Sequence, residues 1–179
     1  VFDFTNRWRF SINGNFFCAG GDVKSVCLSY NNTGFVRDFF KTEYELNYKV
    51  KTFSKPLLTI WNGPVMGGGI GISLYGQHRI GTKNTKLAMP ETAIGFFPDV
   101  GTSYILSRMN NSLGLYLGLS GHILNYYESY KLGFANHYIE EKNIREVENE
   151  FIDSGKIKYD LGASLSNYQS ELINNQEII

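Results

Sequence analysis

The sequence predicts a mixed α/β fold in which short strands alternate with helices. The apolar run at 57–61 is followed by an Asn-Gly-Pro turn at 62–64, and a run bounded in this way is typical of a buried strand. The segment 35–53 instead repeats apolar residues at helical spacing, so we expect a long helix with one buried face. Shorter segments of both kinds follow each other along the rest of the chain, which favours a mixed fold.

The other predicted elements are short. We expect strands at 1–11, 78–82, 86–89 and 134–139, and helices at 69–75, 102–108, 112–119 and 126–133. From residue 140 the chain becomes polar, and its Glu-rich segments at 140–142 and 146–150 indicate an exposed helix. We therefore divide the chain into a core at residues 1–139 and a polar, helical C-terminal segment at residues 140–179.

Composition and charge argue against several classes of function. The 179 residues include 17 basic and 17 acidic residues without a basic cluster, so electrostatic binding of nucleic acid is not expected. No apolar run approaches 18 residues, and we predict no membrane span. The two cysteines, Cys18 and Cys27, are too few for a disulfide framework and favour a reducing compartment. We predict no metal site, because metal-ligand spacing is absent among His78, His122 and His137.

Two carboxylates in apolar company are the most informative feature of the sequence. Glu91 and Asp99 lie eight residues apart, each directly after a proline, among apolar and small residues. An apolar pocket raises the pKa of a carboxyl group, and two carboxylates that share a pocket push their pKa values apart. The pair could therefore supply acid and base catalysis, although helix caps or turn residues would show the same spacing.

A glycine-rich segment upstream offers backbone donors. Three glycines at 67–69 follow the predicted strand and open a segment of helical character. Bare N–H groups at such a position can hold a phosphate or an oxyanion. The phosphate interpretation fails because no Gly-Lys-Ser/Thr follows, and a dinucleotide fingerprint lacks its third glycine.

A second pair of glycines could complete an oxyanion site. Gly20 and Gly21 directly precede Asp22, which is a good N-cap for the segment that follows. The alternative interpretation is a tight turn with a helix cap and no further role.

Together these segments resemble the crotonase superfamily, also called the enoyl-CoA hydratase/isomerase family. The resemblance rests on Cys-Ala-Gly-Gly-Asp at 18–22, Ser-Lys-Pro at 54–56, Asn-Gly-Pro-Val-Met-Gly-Gly-Gly at 62–69 and Pro-Glu-Thr at 90–92, and covers roughly residues 12–140. It implies a spiral of β-β-α units, incomplete here at both ends, with the N-terminal part of the core missing. It also implies an oxyanion hole for an acyl-CoA thioester at the N–H groups of Gly21 and Gly68, and a catalytic role for Glu91.

Three details resemble the 3-hydroxyisobutyryl-CoA hydrolase branch of this family. Hydratases use a first glutamate where this chain has Gly71, whereas the hydrolase branch has an aspartate at the position of Asp99. The string Thr-Glu-Tyr-Glu-Leu-Asn-Tyr at 42–48 is similar to one in that branch, whose first glutamate, Glu43 here, lies near the substrate. The resemblance implies substrate binding by Glu43, Gly68, Glu91 and Asp99. Without it, Glu43 is more simply a solvated charge on a helix.

The resemblance yields three functional hypotheses. The first is hydrolysis of a short, branched 3-hydroxyacyl-CoA in valine catabolism, with Glu91 as nucleophile or general base and coenzyme A as part of the substrate rather than a cofactor. The second is hydration or isomerisation of an enoyl-CoA on the same scaffold. The third is a non-catalytic subunit of a mitochondrial ribosome. A mitochondrial location and either a homo-oligomer or a large mitochondrial assembly are the corresponding expectations.

Overall fold

The described residues form two β-sheets. The computed structural model describes residues 8–10 and 17–155, and its strands and helices are numbered in chain order. The first sheet is parallel, and its strands in spatial order are Trp8–Phe10 (β1), Leu57–Trp61 (β2), His78–Gly81 (β4) and His137–Tyr138 (β7). The second sheet contains Pro64–Met66 (β3), Lys86–Ala88 (β5) and Leu124–Asn125 (β6), with β5 parallel to β3 and antiparallel to β6.

Helices connect and cover these strands. The long helix is Thr33–Lys51 (α2), and the other α-helices are Val23–Leu28 (α1), Gly68–Gly71 (α3), Thr102–Leu106 (α4), Leu113–Ser120 (α5), Tyr126–Lys131 (α6) and Ile144–Ser154 (α7). Short 3₁₀ turns occupy Glu91–Ile94, Asn110–Ser112 and Glu141–Asn143. No helix among the described residues has both the length and the apolar character needed to cross a membrane.

Strand β2 organises the core because all five of its side chains are buried. Side chains alternate between the faces of a sheet, so neighbouring residues of β2 enter different clusters. Leu58 and Ile60 pack with Ile80 and Ile139 on one side. Trp61 belongs to the larger cluster on the other side, which contains residues of β3, α3, β5 and α5. The sheet thus separates two apolar layers, and the larger one supports the glycine-rich segment.

The C-terminal part of the described chain packs on the smaller layer. Val147 and Phe151 of α7 are 0% and 1% exposed and contact the cluster of Leu58 and Ile80. The exposed helix predicted beyond residue 140 is therefore only partly exposed, because one of its faces completes the core. Residues 156–179 lie outside the described residues, and the division of the chain at residue 140 stays a prediction.

The predicted elements exist, with shifted ends. Helix α2 begins at Thr33 rather than 35, because the Asn32 side chain accepts a hydrogen bond from the Phe35 N–H at 3.1 Å and caps the helix. The strand expected at 134–139 shrinks to His137–Tyr138, and the helix expected at 69–75 shrinks to Gly68–Gly71. The strand expected at 1–11 is observed at Trp8–Phe10, and its remaining residues lie outside the described ones.

Candidate active site

The segment before Asp22 is hydrogen-bonded to the segment that leads from β3 into α3. The Cys18 N–H donates to the Pro64 carbonyl at 3.1 Å, and the Met66 N–H donates to the Cys18 carbonyl at 2.9 Å. These bonds hold the segment before Asp22 against β3. Gly67 follows β3 with φ +52° and ψ −121°, a conformation that essentially only glycine adopts. The chain therefore turns sharply into α3 at this point.

The backbones of Gly21 and Gly68 lie next to each other. A methyl group added to Gly68 would lie 3.3 Å from the Gly21 nitrogen. Gly68 is the first residue of α3, so its N–H has no partner inside that helix. Among the described residues, neither N–H donates to a backbone acceptor. The structure therefore brings together the two donors that the sequence singled out, and leaves both available to a ligand.

Glu91 borders the glycine segment on one side. It opens the 3₁₀ turn after β5 and is 9% exposed. Its Oε1 lies 2.7 Å from where a methyl group on Gly67 would stand, and its Oε2 is buried without a hydrogen-bond partner among the described residues. Burial raises the pKa of Glu91 to about 7, and the negative charges of Asp99 and Glu43 also raise it.

Glu43 borders the same segment on the other side. Its Oε1 lies 2.5 Å from a methyl position on Gly68 and 3.7 Å from one on Gly21. Burial raises the pKa of this carboxyl group, and the charge of Asp99 acts in the same direction. Glu43 thus points from the middle of α2 into the site, which argues against a solvated helix charge.

Asp99 is held by a side chain that the sequence interpretation missed. The Tyr44 hydroxyl donates to Asp99 Oδ2 at 2.8 Å, across 55 residues of sequence. The Thr102 N–H and hydroxyl both donate to the Asp99 carbonyl, at 2.8 and 2.7 Å, which fixes the backbone of the turn. Val100 in that turn has φ +44°, a strained conformation for a β-branched residue. Strain of this kind is common at functional sites.

These groups line one cavity of about 470 Å³, which we call the carboxylate cleft. It contains Gly21, Gly68, Glu43, Glu91 and Asp99, with apolar walls that include Phe39, Phe40, Ile94 and Phe96. Free N–H donors, three carboxylates and an apolar lining suit an acyl group whose carbonyl oxygen becomes negative during reaction. The cleft therefore holds all five site residues that the sequence predicted.

Other residues considered in the sequence lie elsewhere. Asp22 caps α1 and accepts from the Ser25 N–H at 3.0 Å, as predicted. His78 and His137 face each other at 3.3 Å on the parallel sheet, outside the cleft. Across residues 8–10 and 17–155, no group of three or more His, Cys, Asp or Glu side chains is arranged to hold a metal ion.

Comparison with known proteins identifies the family of this chain. The model of the family described as enoyl-CoA hydratase/isomerase matches residues 10–177. The chain belongs to the enoyl-CoA hydratase/isomerase family.

Solved structures of crotonase-type enzymes have a similar fold. An enoyl-CoA hydratase from Rhodobacter sphaeroides 2.4.1 is 30% identical to this chain, with a TM-score of 0.79. The match covers 83% of this chain and 45% of the hydratase chain. A carnitinyl-CoA dehydratase from Mycobacterium thermoresistibile is 36% identical to this chain, with a TM-score of 0.76. The match covers 90% of this chain and 47% of the dehydratase chain.

Curated relatives are named as hydrolases. The 3-hydroxyisobutyryl-CoA hydrolase, mitochondrial, of Xenopus tropicalis is 42% identical over 142 residues, which is 79% of this chain and 37% of the relative. The 3-hydroxyisobutyryl-CoA hydrolase 1 of Arabidopsis thaliana is 46% identical over 138 residues, which is 76% of this chain and 36% of the relative. The chain thus spans little more than a third of the length of these curated relatives. The resemblance to the crotonase family and to its hydrolase branch is confirmed.

Proposed function

We propose that this chain carries the active site of a hydrolase that cleaves a short, branched 3-hydroxyacyl-CoA thioester such as 3-hydroxyisobutyryl-CoA. The names of its curated relatives support this substrate class. The observation that carries the proposal is Glu91, a buried carboxyl group with an unpaired oxygen beside two free backbone donors. That combination suits attack on a carbonyl group whose oxygen the donors stabilise.

The thioester oxygen would accept hydrogen bonds from the N–H groups of Gly21 and Gly68. Negative charge develops on this oxygen when the carbonyl carbon is attacked, and donors already in place stabilise it without rearrangement. One such donor contributes about 3–4 kcal/mol in comparable sites. The apolar side chains in the cleft wall strengthen the effect, since hydrogen bonds to a charge are stronger in less polar surroundings.

Glu91 would act in its ionised form by one of two routes. In the first, its carboxylate attacks the carbonyl carbon, the C–S bond breaks, the coenzyme A thiolate leaves, and water then hydrolyses the mixed anhydride. In the second, Glu91 takes a proton from water as the water oxygen attacks, and passes it to the leaving thiolate as the C–S bond breaks. Incorporation of label from labelled water into Glu91 after turnover supports the first route.

We propose that Asp99 binds the 3-hydroxyl group of the substrate. Its carboxylate lies in the carboxylate cleft, and the Tyr44 hydroxyl orients it. A substrate hydroxyl could donate to this carboxylate, whereas an analogue without the hydroxyl would leave it unpaired. Glu43, beside Gly68, is placed to contact the substrate near the carbonyl group.

Hydration of an enoyl-CoA is the second candidate, favoured by the similarity to the Rhodobacter hydratase. Gly71 argues against a two-glutamate mechanism. A methyl group there would already lie 2.5 Å from Val100 Cβ and 2.8 Å from Asn47 Oδ1, so no longer side chain fits without rearrangement. Loss of enoyl absorbance without release of thiol would support hydration over hydrolysis.

The cellular setting is also a proposal. Several curated relatives are named mitochondrial, and we infer a mitochondrial location for this protein by resemblance. A homo-oligomer and a role as a non-catalytic subunit of a mitochondrial ribosome stay predictions. Co-sedimentation of the native protein with a ribosomal particle would support the latter role.

Release of free coenzyme A from 3-hydroxyisobutyryl-CoA tests the proposed function. We expect hydrolysis by the wild type and a loss of about 100-fold or more in kcat in Glu91→Gln, since glutamine can neither accept a proton nor attack. Glu45→Gln is the matched control, because Glu45 lies on the exposed side of α2 beside Lys41. Near-normal hydrolysis by Glu91→Gln would refute both routes.

A further inference from the structure

A second cavity adjoins Asp99. It has a volume of about 390 Å³ and, besides Asp99, is lined by the turn at Val100 and by side chains of α2. Its walls are largely aromatic, with Tyr44, Tyr48, Tyr75 and Phe97. We call it the Asn47 chamber, because Asn47 is the buried polar residue in its lining. Asp99 lines both this chamber and the carboxylate cleft, whereas its partner Tyr44 lines the chamber.

Asn47 is buried without hydrogen-bond partners. Its side chain is 6% exposed, yet neither Oδ1 nor Nδ2 has a partner among the described residues. A buried amide without hydrogen-bond partners lowers stability, because it has lost its hydrogen bonds to water. The other buried, unpartnered side-chain atoms of the described region belong to Glu91, Trp61 and Ser129. Trp61 and Ser129 line neither cavity, so Asn47 shares its unusual position with Glu91 alone in this set.

Asn47 and Glu91 border opposite ends of the short helix α3. Glu91 lies against Gly67, the N-cap, and Asn47 lies against Gly71, the last residue of the helix. The Gly71 N–H donates to the Gly67 carbonyl at 3.3 Å. Both unpaired side chains therefore lie against the segment that carries the Gly68 N–H, one from each cavity.

We propose that the Asn47 side chain binds a hydroxyl group beside Asp99, either the hydrolytic water or the 3-hydroxyl of the substrate. The amide offers both a donor and an acceptor, which matches a hydroxyl group that also donates and accepts. The inference deepens the proposed function and rests on it. It also accounts for a buried amide that the fold otherwise leaves unsatisfied.

Asn47→Leu tests the inference, because leucine has a similar volume and no polar atom. Coenzyme A release is measured with 3-hydroxyisobutyryl-CoA and with isobutyryl-CoA, together with thermal unfolding. We expect kcat to fall by about tenfold or more, the loss of one hydrogen bond in the transition state, without a lower Tm. An equal fall with both thioesters identifies water as the ligand. A fall confined to the hydroxylated thioester identifies the substrate hydroxyl.

Ser129→Ala is the control, since it removes a buried, unpartnered hydroxyl that lines neither cavity, and we expect wild-type kinetics. If Asn47→Leu does not fold, Asn47→Ala is measured in the same way. Wild-type kcat with both thioesters in a folded Asn47 variant would overturn this inference and leave the proposed function standing. If the wild type releases no coenzyme A, the proposed function and this inference both fall.

Discussion

The carboxylate cleft and the histidine pair of the parallel sheet contain buried titratable groups in opposite situations. Burial raises the pKa of Glu91 to about 7, and burial lowers the pKa of His137 to about 4, helped by the charges of His78 and Arg79. The histidines face each other and His78 lies against Phe151, whereas the Glu91 Oε2 has no partner among the described residues and Glu91 lines a cavity. A shifted pKa therefore reports burial, and an unpaired atom beside a cavity is what distinguishes the candidate site.

Among the variants that test this comparison, the largest effect is expected from Gly68→Ala. The backbone of Gly68 is helical and tolerates alanine, but the added methyl would lie 2.5 Å from Glu43 Oε1 and 3.3 Å from the Gly21 nitrogen. Alanine keeps the backbone N–H, but its methyl group would occupy the space in front of the two donors, so we expect kcat for thioester hydrolysis to fall by about 100-fold, as when one oxyanion contact is lost. Gly34→Ala is the control, because a methyl there meets only ordinary contacts. Equal activity of both variants would show that the two glycines form no oxyanion hole.

A smaller effect is expected from Asp99→Gly, and it concerns selectivity. The ratio of kcat/KM for 3-hydroxyisobutyryl-CoA to that for isobutyryl-CoA should fall by about 10- to 100-fold, since a hydrogen bond to a charged group contributes about 1.5–3 kcal/mol. Tyr44→Phe removes only the hydroxyl that orients Asp99, and should lower the ratio less. An unchanged ratio in Asp99→Gly would leave Asp99 with a structural role in its turn.

The smallest effect is expected from the histidine pair, and it concerns stability. Because burial lowers the folded-state pKa values of His78 and His137 below 6.5, these two histidines bind more protons in the unfolded chain between about pH 4 and 6.5. The contribution of the pair to the free energy of unfolding should therefore fall as the pH drops through this range. His137→Gln should reduce that fall by about 1 kcal/mol, a figure lowered for the partial exposure of the pair.

Urea unfolding at pH 7.5 and 5 measures this effect, with His122→Gln as a control outside the pair. If the stability of His137→Gln depends on pH as strongly as that of the wild type, this prediction is wrong.

The carboxylate cleft should have the opposite effect on the pH dependence of stability. Glu91 binds more protons when folded, so its contribution to stability is lost as the pH rises from about 4.5 to 7.

Sequence periodicity predicted elements such as β2, whose consecutive side chains are apolar and buried. It missed strand β3 and the buried face of α7. Strand β2 was predicted at its observed bounds because five consecutive residues are buried. Strand β3 was missed because Pro64–Met66 directly follows a turn signal, and its pairing with β5 depends on residues more than 20 positions away. The buried face of α7 was also missed, although Ile144, Val147 and Phe151 recur at helical spacing within the polar segment.

The members of the candidate site could be predicted, but not the way in which they meet. The motifs identified Gly21, Gly68, Glu91 and Asp99, and the helical position of Glu43 allowed it to enter a cleft. Two long-range contacts were not predictable: Tyr44 with Asp99, and Asn47 with Gly71. The spacing of Glu43 and Asn47, four residues apart on one helix, was the available signal that Asn47 shares the face of Glu43.

The pH dependence of kcat/KM for 3-hydroxyisobutyryl-CoA tests the central claim most directly, that ionised Glu91 in a buried setting begins the reaction. Both proposed routes need the carboxylate, so activity should be low at pH 5, rise tenfold per pH unit and level off above an apparent pKa of about 7. A profile that is flat from pH 5.5 to 8.5 would contradict the claim, because the ionisation of Glu91 would then not control hydrolysis.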